Sequence, residues 1–338
     1  MYNETINYYE MIYLQADTGE CINLKNIMNE NSNLKDVYYT YIDSNKNSKN
    51  FNVRKSDGEL VFDINMETTE TNLPSSEYPF TAKIDGKEMT FKAVKTPVTG
   101  AKIIEYTYSE DSPIKDSPNY YFHLSRNFLY KTTIFALNNE SNLESINKIN
   151  LDINKGFEIA APSFFNDLKK LLTDYSIIKN KMQSMYNEWK VENGCEYGRD
   201  SISEGFSIYY LSEKIIHIIH HVYDYSGGII NGMYASIHSI YSLETGNKLE
   251  IEDLITDLKN PDLLNLVKVK LLKIEDIWTD FLDNLSLEIA DFYFTSKGLV
   301  FKWGIYVLGP RSIGEPEVLI SAEEIKPYLK DEYKTIFE

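Results

Sequence analysis

Lys214-Ile-Ile-His-Ile-Ile-His-His-Val-Tyr223 decides how the rest of the chain is read. Its histidines, His217, His220 and His221, approach the HxxEH spacing of zinc enzymes, but a His stands where the general-base Glu belongs. The run is rich in β-branched residues, which favours a strand over a helix. On a strand His217 and His221 share a face about 13 Å apart, at ~3.3 Å per residue, too far for one tetrahedral metal. His220 faces the other way, so the weak metal candidates are His220 with a cross-strand His238.

Strand-like segments surround this run. Phe206–Leu211 precedes it and Tyr234–Leu243 follows it, while Phe292–Thr295 and Leu299–Val307 are joined by the turn Ser296-Lys297-Gly298. The first hundred residues also read as β structure: Val37–Ile42, Phe51–Val53 and Leu60–Ile64 lie around the turn signal Asp57-Gly58. Thr81–Ile84 and Met89–Ala93 form a hairpin across Asp85-Gly86. Pro97, Gly100 and the Ser/Asp/Pro-rich stretch 109–118 place a boundary near residue 100, after which Tyr120–Leu124 and Tyr130–Leu137 read as strands.

Two amphipathic helices complete the pattern. Phe165, Leu168, Leu172, Tyr175, Met182, Tyr186 and Trp189 recur at near-helical spacing behind Pro162-Ser163. Leu263, Val267, Leu271, Ile274, Trp278 and Phe281 do so behind Pro261, and both stripes are expected to face core. The fold class is therefore α+β: antiparallel sheets with amphipathic helices packed on one face, plus a small, mostly β N-terminal region. The organisation is 1–100, then a module over 101–338 divided at about residue 200. An ordered echo links Tyr13–Ile27 with Tyr241–Ile255 and Ser56–Phe62 with Ser296–Phe301, so the N-terminal region reads as a reduced copy of the C-terminal module.

Composition narrows the function. The 338 residues carry 51 acidic and 34 basic side chains, a net charge of -17, with only four arginines. No Lys-rich cluster compensates for the few arginines, which argues against nucleic acid and anionic membrane as partners. Residues 251–291 hold ten acids against four lysines, a location for a cationic partner. Cys21 and Cys195 form no CxxC pair, and their separation leaves a disulfide open. No apolar run reaches membrane-span length, and the start has no signal-peptide pattern, so either the chain is cytoplasmic or a leader lies upstream. Ser112-Pro-Ile-Lys115 lacks the companion motifs of an SxxK enzyme. Asp43–Arg54 lacks the Gly and Glu of a calcium loop, and no GxSxG, Walker A or GxGxxG occurs. No catalytic residue and no cofactor is assigned.

Five motifs in order carry a resemblance: Tyr223-Asp-Tyr-Ser-Gly-Gly228, Tyr241–Ile255, Asp291–Phe301, Tyr306-Val-Leu-Gly-Pro-Arg-Ser-Ile-Gly314 and Glu317-Val-Leu-Ile320. They resemble the RsiV-like C-terminal domain of unknown function, and residues 101–200 resemble, more weakly, the PdaC-type module that often precedes it. The resemblance implies an α+β domain exposed outside the cytoplasm that recognises a protein and is not an enzyme. Lysozyme is such a partner in RsiV, and a lysozyme-like cationic protein or peptidoglycan is the partner expected here. The alternatives are a structural repeat module of a surface protein or a cell-wall hydrolase or deacetylase accessory. Ile230 stands where the family turn usually carries His. Candidate contact residues are Ser226, Gly227 and Gly228 in the Gly-rich turn and Tyr306, Pro310 and Arg311 in the later loop, since loops on a rigid scaffold carry recognition and Tyr and Arg are favoured anchors.

Overall fold

A computed structural model describes residues 2–16, 21–27, 37–42, 48–56, 59–62, 66–67, 80–84, 86–94, 96–98, 100–113, 125–139, 143–157, 165, 168, 176–181, 184, 199–225, 233–295 and 297–337. The fold is mixed α+β, and one large, mostly antiparallel sheet dominates it. Its strands are β1 (Tyr2–Ala16), β2 (Cys21–Ile27), β3 (Val37–Ile42), β4 (Ser48–Ser56), β5 (Glu59–Phe62), β6 (Met66–Glu67), β7 (Phe80–Ile84), β8 (Lys87–Lys92), β9 (Gly100–Pro113), β10 (Ser125–Leu137), β11 (Arg199–Leu211), β12 (Ile215–Tyr225) and β13 (Met233–Ser242). The main path runs β13-β12-β11-β10-β9-β1-β2-β3-β4-β5, with β8 joining β1 from the side. A second sheet orders β14 (Asp291–Thr295), β15 (Gly298–Lys302) and β16 (Glu317–Ser321).

Local chemistry accounts for the hairpins. Gly86 has φ +82°, the left-handed turn conformation that an Asp-Gly pair supplies, and β7 and β8 pair from Phe80 to Phe91 around it. The β-branched run is β12, whose first five residues, Ile215–Ile219, are all buried because both faces are covered there. The boundary near residue 100 falls inside the large sheet: β1 pairs with β9 from Tyr2 opposite Glu110 to Ile12 opposite Gly100. The N-terminal and middle regions therefore share one sheet.

β10 and β11 run parallel, but only from Asn127 opposite Arg199 to Lys131 opposite Ser203. Beyond that the strands part, and backbone groups inside a protein need replacement partners. Asparagines supply them, because the side-chain amide copies a peptide's donor and acceptor. Helix α1 (Glu144–Ile153) lays Asn150 on the edge of β10 at Leu137, and its C-cap Asn154 on Phe135. Each accepts one bond from the backbone N–H (2.7 and 3.0 Å) and donates one to the C=O (3.1 and 2.6 Å). On the β11 side, Asn23 does the same for Ile208. The gap is filled by Met11, Tyr13, Phe135, Ile146, Ile208 and Ile218.

The expected helix behind Pro261 exists but is shorter than its stripe. Asn260 caps it by accepting from Asp262 and Leu263 N–H at 3.0 and 3.2 Å, Pro261 opens it, and it ends at Leu271. Leu263, Val267 and Leu271 are fully buried, each worth roughly 1.5–3 kcal/mol, and pack with Phe294, Phe301 and Trp303 of the small sheet. Tyr210, Ile215 and Ile240 of the large sheet join the same core. Trp278 and Phe281 do not; they lie beyond Leu271, Phe281 in the separate helical turn Thr279–Leu282 that Trp278 precedes, and are exposed. The strand expected over Leu299–Val307 likewise stops at Lys302, because the chain turns at Gly304–Val307. The aligned halves of the internal echo differ in structure, since Cys21–Ile27 is a strand whereas Ile251–Leu254 is a helical turn. Of the other helical stripe, Phe165 and Leu168 are buried and residues 176–181 are helical. Leu172, Tyr175, Met182, Tyr186, Trp189, Tyr120–Leu124 and Cys195 lie outside the described residues, while Cys21 is buried with its thiol directed at Tyr209 O, 3.7 Å away.

Candidate functional site

Two loops that flank the small sheet are stitched together. The first leaves the helix Pro261–Leu271 and carries Asp276 at φ +64°; the second leaves β15 and carries Tyr306 at φ +69°. Left-handed backbone is disfavoured for a residue with a Cβ, at roughly 1–2 kcal/mol each. The surrounding packing holds both. Trp278 N–H donates to Leu308 O at 2.9 Å, Leu308 is buried, and an added Cβ at Gly309 would lie 3.2 Å from Asp276 O. Below them Trp303 is fully buried, with its backbone N–H donating to Pro316 O at 2.9 Å.

What the loops present is apolar. Trp278, Phe281, Ile305 and Tyr306 are 39, 53, 47 and 60% exposed, and the Trp278 and Phe281 rings lie 5.4 Å apart. Around the first pair stand exposed Glu275, Asp276, Asp280 and Asp283, against Lys273 as the basic neighbour on that loop. The result is an aromatic surface in an acidic field on a fixed backbone.

Of the residues chosen from sequence, Tyr306 lies at the crest of this surface and Pro310 is half-buried at the foot of its loop. Arg311 opens the short helical turn Arg311–Ile313, where its backbone alone is described. Ser226, Gly227 and Gly228 lie outside the described residues. The helical spacing places Trp278 and Phe281 in the core, whereas the structure puts them on the surface; no local signal separates them, since Glu275 and Asp276 fall between stripe positions just as Lys268 and Lys270 do within the helix.

The histidines lie on β12 and β13, as expected, but in a different partnership. His238 is opposite Ile219 and so shares the face of His217 and His221; His220 is on the other face. A His220–His238 pair is therefore corrected to His217–His238, with Nε2 of the first 2.9 Å from Nδ1 of the second and His238 stacked on Tyr293 at 4.5 Å. Tyr293 in turn donates to Glu317 at 2.6 Å, and burial, added to by that carboxylate, keeps its phenol far above the ordinary range. Among the described residues no three His, Cys, Asp or Glu side chains converge as a metal site.

On the opposite face His220 stacks on Phe206 and lies 3.5 Å from Glu204, whose carboxylate also meets Lys181 at 3.7 Å and the Tyr130 hydroxyl at 3.2 Å. Burial works against the Glu204 charge, but His220 and Lys181 outweigh it and hold the carboxyl below its usual value. These groups form a part-buried polar cluster. His221 bridges Ser207 at 2.7 Å and Tyr234 at 2.6 Å beside a cleft of about 140 Å³. The spacing suits a serine nucleophile, yet Ser207 is buried and does not line the cleft, so the chain of hydroxyls orders Tyr234 instead of addressing a substrate.

No protein-family model and no curated protein matches the sequence. Among solved structures, the chain is similar to a DUF3298-family member from Bacteroides fragilis, at 16% identity and TM-score 0.44 over 71% of this chain and 97% of that one. It is also similar to a DUF3298-family protein from Pseudomonas aeruginosa, at 13% identity and TM-score 0.36 over 66% of this chain and 94% of that one. The structural neighbours of this chain are thus DUF3298-family proteins.

Proposed function

We propose that the C-terminal half is a recognition module for a cationic protein outside the cytoplasm, and that the paired loops 272–283 and 303–314 are its contact surface. The observation that carries this reading is the pair of stitched loops. Each holds a non-glycine residue in left-handed backbone, and together they expose Trp278, Phe281, Ile305 and Tyr306. Backbone strain of this kind persists where the surroundings over-determine it, and it clusters at ligand-contacting segments. Exposed aromatics on a preformed backbone are the usual anchors of an interface. The carboxylates of Glu275, Asp276, Asp280 and Asp283 select a positively charged partner and steer it in. The ordered motifs shared with the RsiV-like domain support a partner of the lysozyme type over a glycan.

Titration calorimetry with hen lysozyme and with peptidoglycan fragments tests the reading. Binding to lysozyme that weakens as salt rises, and that falls about tenfold or more in Trp278→Ala/Phe281→Ala, is the expected result. Absence of heat with lysozyme at low salt, or binding indifferent to both substitutions, sinks it.

A further inference from the structure

Among the described residues β13 ends the large sheet: it pairs with β12 in an unbroken register from Met233 opposite Asp224 to Ser242 opposite Ile215, and its outer side meets only the bridge from Tyr241 to Lys248. Along an antiparallel strand, successive residues point their backbone groups to alternate sides. At the far end of β13, Ser242 N–H donates to Asn247 O at 2.9 Å and Ile240 C=O accepts from Leu249 N–H at 2.8 Å. These even-numbered residues therefore face away from β12, and residues 247–249 cover them. Tyr234 and Ser236 have the same parity, and among the described residues no backbone group meets their outward N–H and C=O.

Such edges are normally blunted by a lysine, a proline, a bulge or a covering element. Among the described residues β13 has none before Ile240: Met233-Tyr-Ala-Ser-Ile-His-Ser-Ile-Tyr-Ser242 contains neither charge nor proline, its register has no bulge, and the covering residues 247–249 reach only its far end. The side chains there are also open, with Tyr234 64% and Ile237 49% exposed and Ala235 exposed between them.

We propose that this edge docks a second copy of the same chain, strand against strand about a two-fold axis at Ala235. In that register Tyr234 of each copy lies opposite Ser236 of the other. Each such pair exchanges both backbone bonds, because all four residues carry outward groups. The observation that selects a second copy as occupant is charge: in a chain of net -17, a neutral strand is where two copies meet without like charges opposed. A cationic partner is drawn to the acidic loops, not to this strand. The small side chains of Ala235 and Ser236 leave room at the axis for the two Tyr234 rings.

Sedimentation equilibrium of the full chain, from micromolar to about 0.5 mM, tests the pairing. The mass is expected to rise with concentration from 39.2 kDa towards twice that value. Ala235→Lys opposes two charges at the axis, and Ser236→Pro removes an outward N–H that β12 does not use. Each is expected to weaken association about tenfold or more with an unchanged melting temperature, whereas Lys259→Ala leaves it intact. A mass that stays at one chain over the whole range overturns the proposal. So does self-association that survives both edge substitutions in folded protein.

Discussion

Asn23 makes to Ile208 both of the hydrogen bonds that a neighbouring strand would make: its Nδ2 donates to Ile208 O at 2.8 Å, and Ile208 N–H donates to its Oδ1 at 3.2 Å. Asn23 is fully buried, so neither backbone group has water to fall back on. Asn23→Ala is expected to orphan both and lower the unfolding free energy by about 2–4 kcal/mol, read from urea denaturation. A loss well under 1 kcal/mol would mean that the seam between β10 and β11 closes by other means.

Gly246 sits at φ +70° with its α-carbon against α1, where an added Cβ would lie 2.3 Å from Ser145 O. Gly246→Ala therefore combines backbone strain with a clash against a carbonyl that cannot swing away. A loss of at least about 2–3 kcal/mol is expected, against about 1 kcal/mol for Gly86→Ala, which has φ +82° but open space around it. Thermal melts of the two variants side by side separate strain from collision.

Glu324 closes a capping box with Ser321, accepting from Ser321 N–H at 2.9 Å and from Lys270 at 2.7 Å. Lys270 and that N–H hold its carboxyl down to about 2, against 4.5 for an unperturbed Glu. Because the folded value is depressed, the stabilisation is complete above about pH 4.5 and disappears as pH falls towards 2. Solvent screening keeps it below about 1 kcal/mol. The melting-temperature gap between the wild-type chain and Glu324→Gln should shrink across that window, and a gap constant with pH would contradict the assignment.

Tyr306→Gly relieves the left-handed strain at φ +69° and removes an exposed ring at once. Stability is expected to rise by about 0.5–1 kcal/mol while affinity for the cationic partner falls. Both quantities moving in the same direction would separate Tyr306 from the contact surface.

Local signals in the sequence led to the right elements where local chemistry governs. Asp85-Gly86 marks a hairpin because Gly86 supplies the turn's positive φ, and Ile215–Ile219 reads as a strand through its β-branched residues. Helical spacing, by contrast, does not say where a helix stops. The stripe from Leu263 to Phe281 is periodic throughout, yet the chain leaves the helix after Leu271, and the two aromatics become surface. Pairing between β1 and β9 leaves no local trace, so the union of Tyr2–Ala16 and Gly100–Pro113 in one sheet is legible only in the structure. Asn150 and Asn154 did leave one, as amides four residues apart beside the buried Ile146 and Ile149 of α1. Their purpose, though, is set by a strand edge that only the tertiary structure reveals.

The place of β1 has a consequence for how the chain is made. Its partner β2 follows at once, but its other long edge waits for β9, and everything between residues 17 and 99 is translated before that strand emerges. During that interval a fifteen-residue strand bearing Tyr8, Tyr9, Met11, Tyr13 and Leu14, all buried in the finished fold, has one side unclaimed. Non-local pairing of this kind slows folding and lengthens the exposure of sticky surface. A nascent chain halted before β9 is therefore the form of this protein most dependent on chaperones, and release of the β9 segment from the ribosome is the step at which that dependence should end.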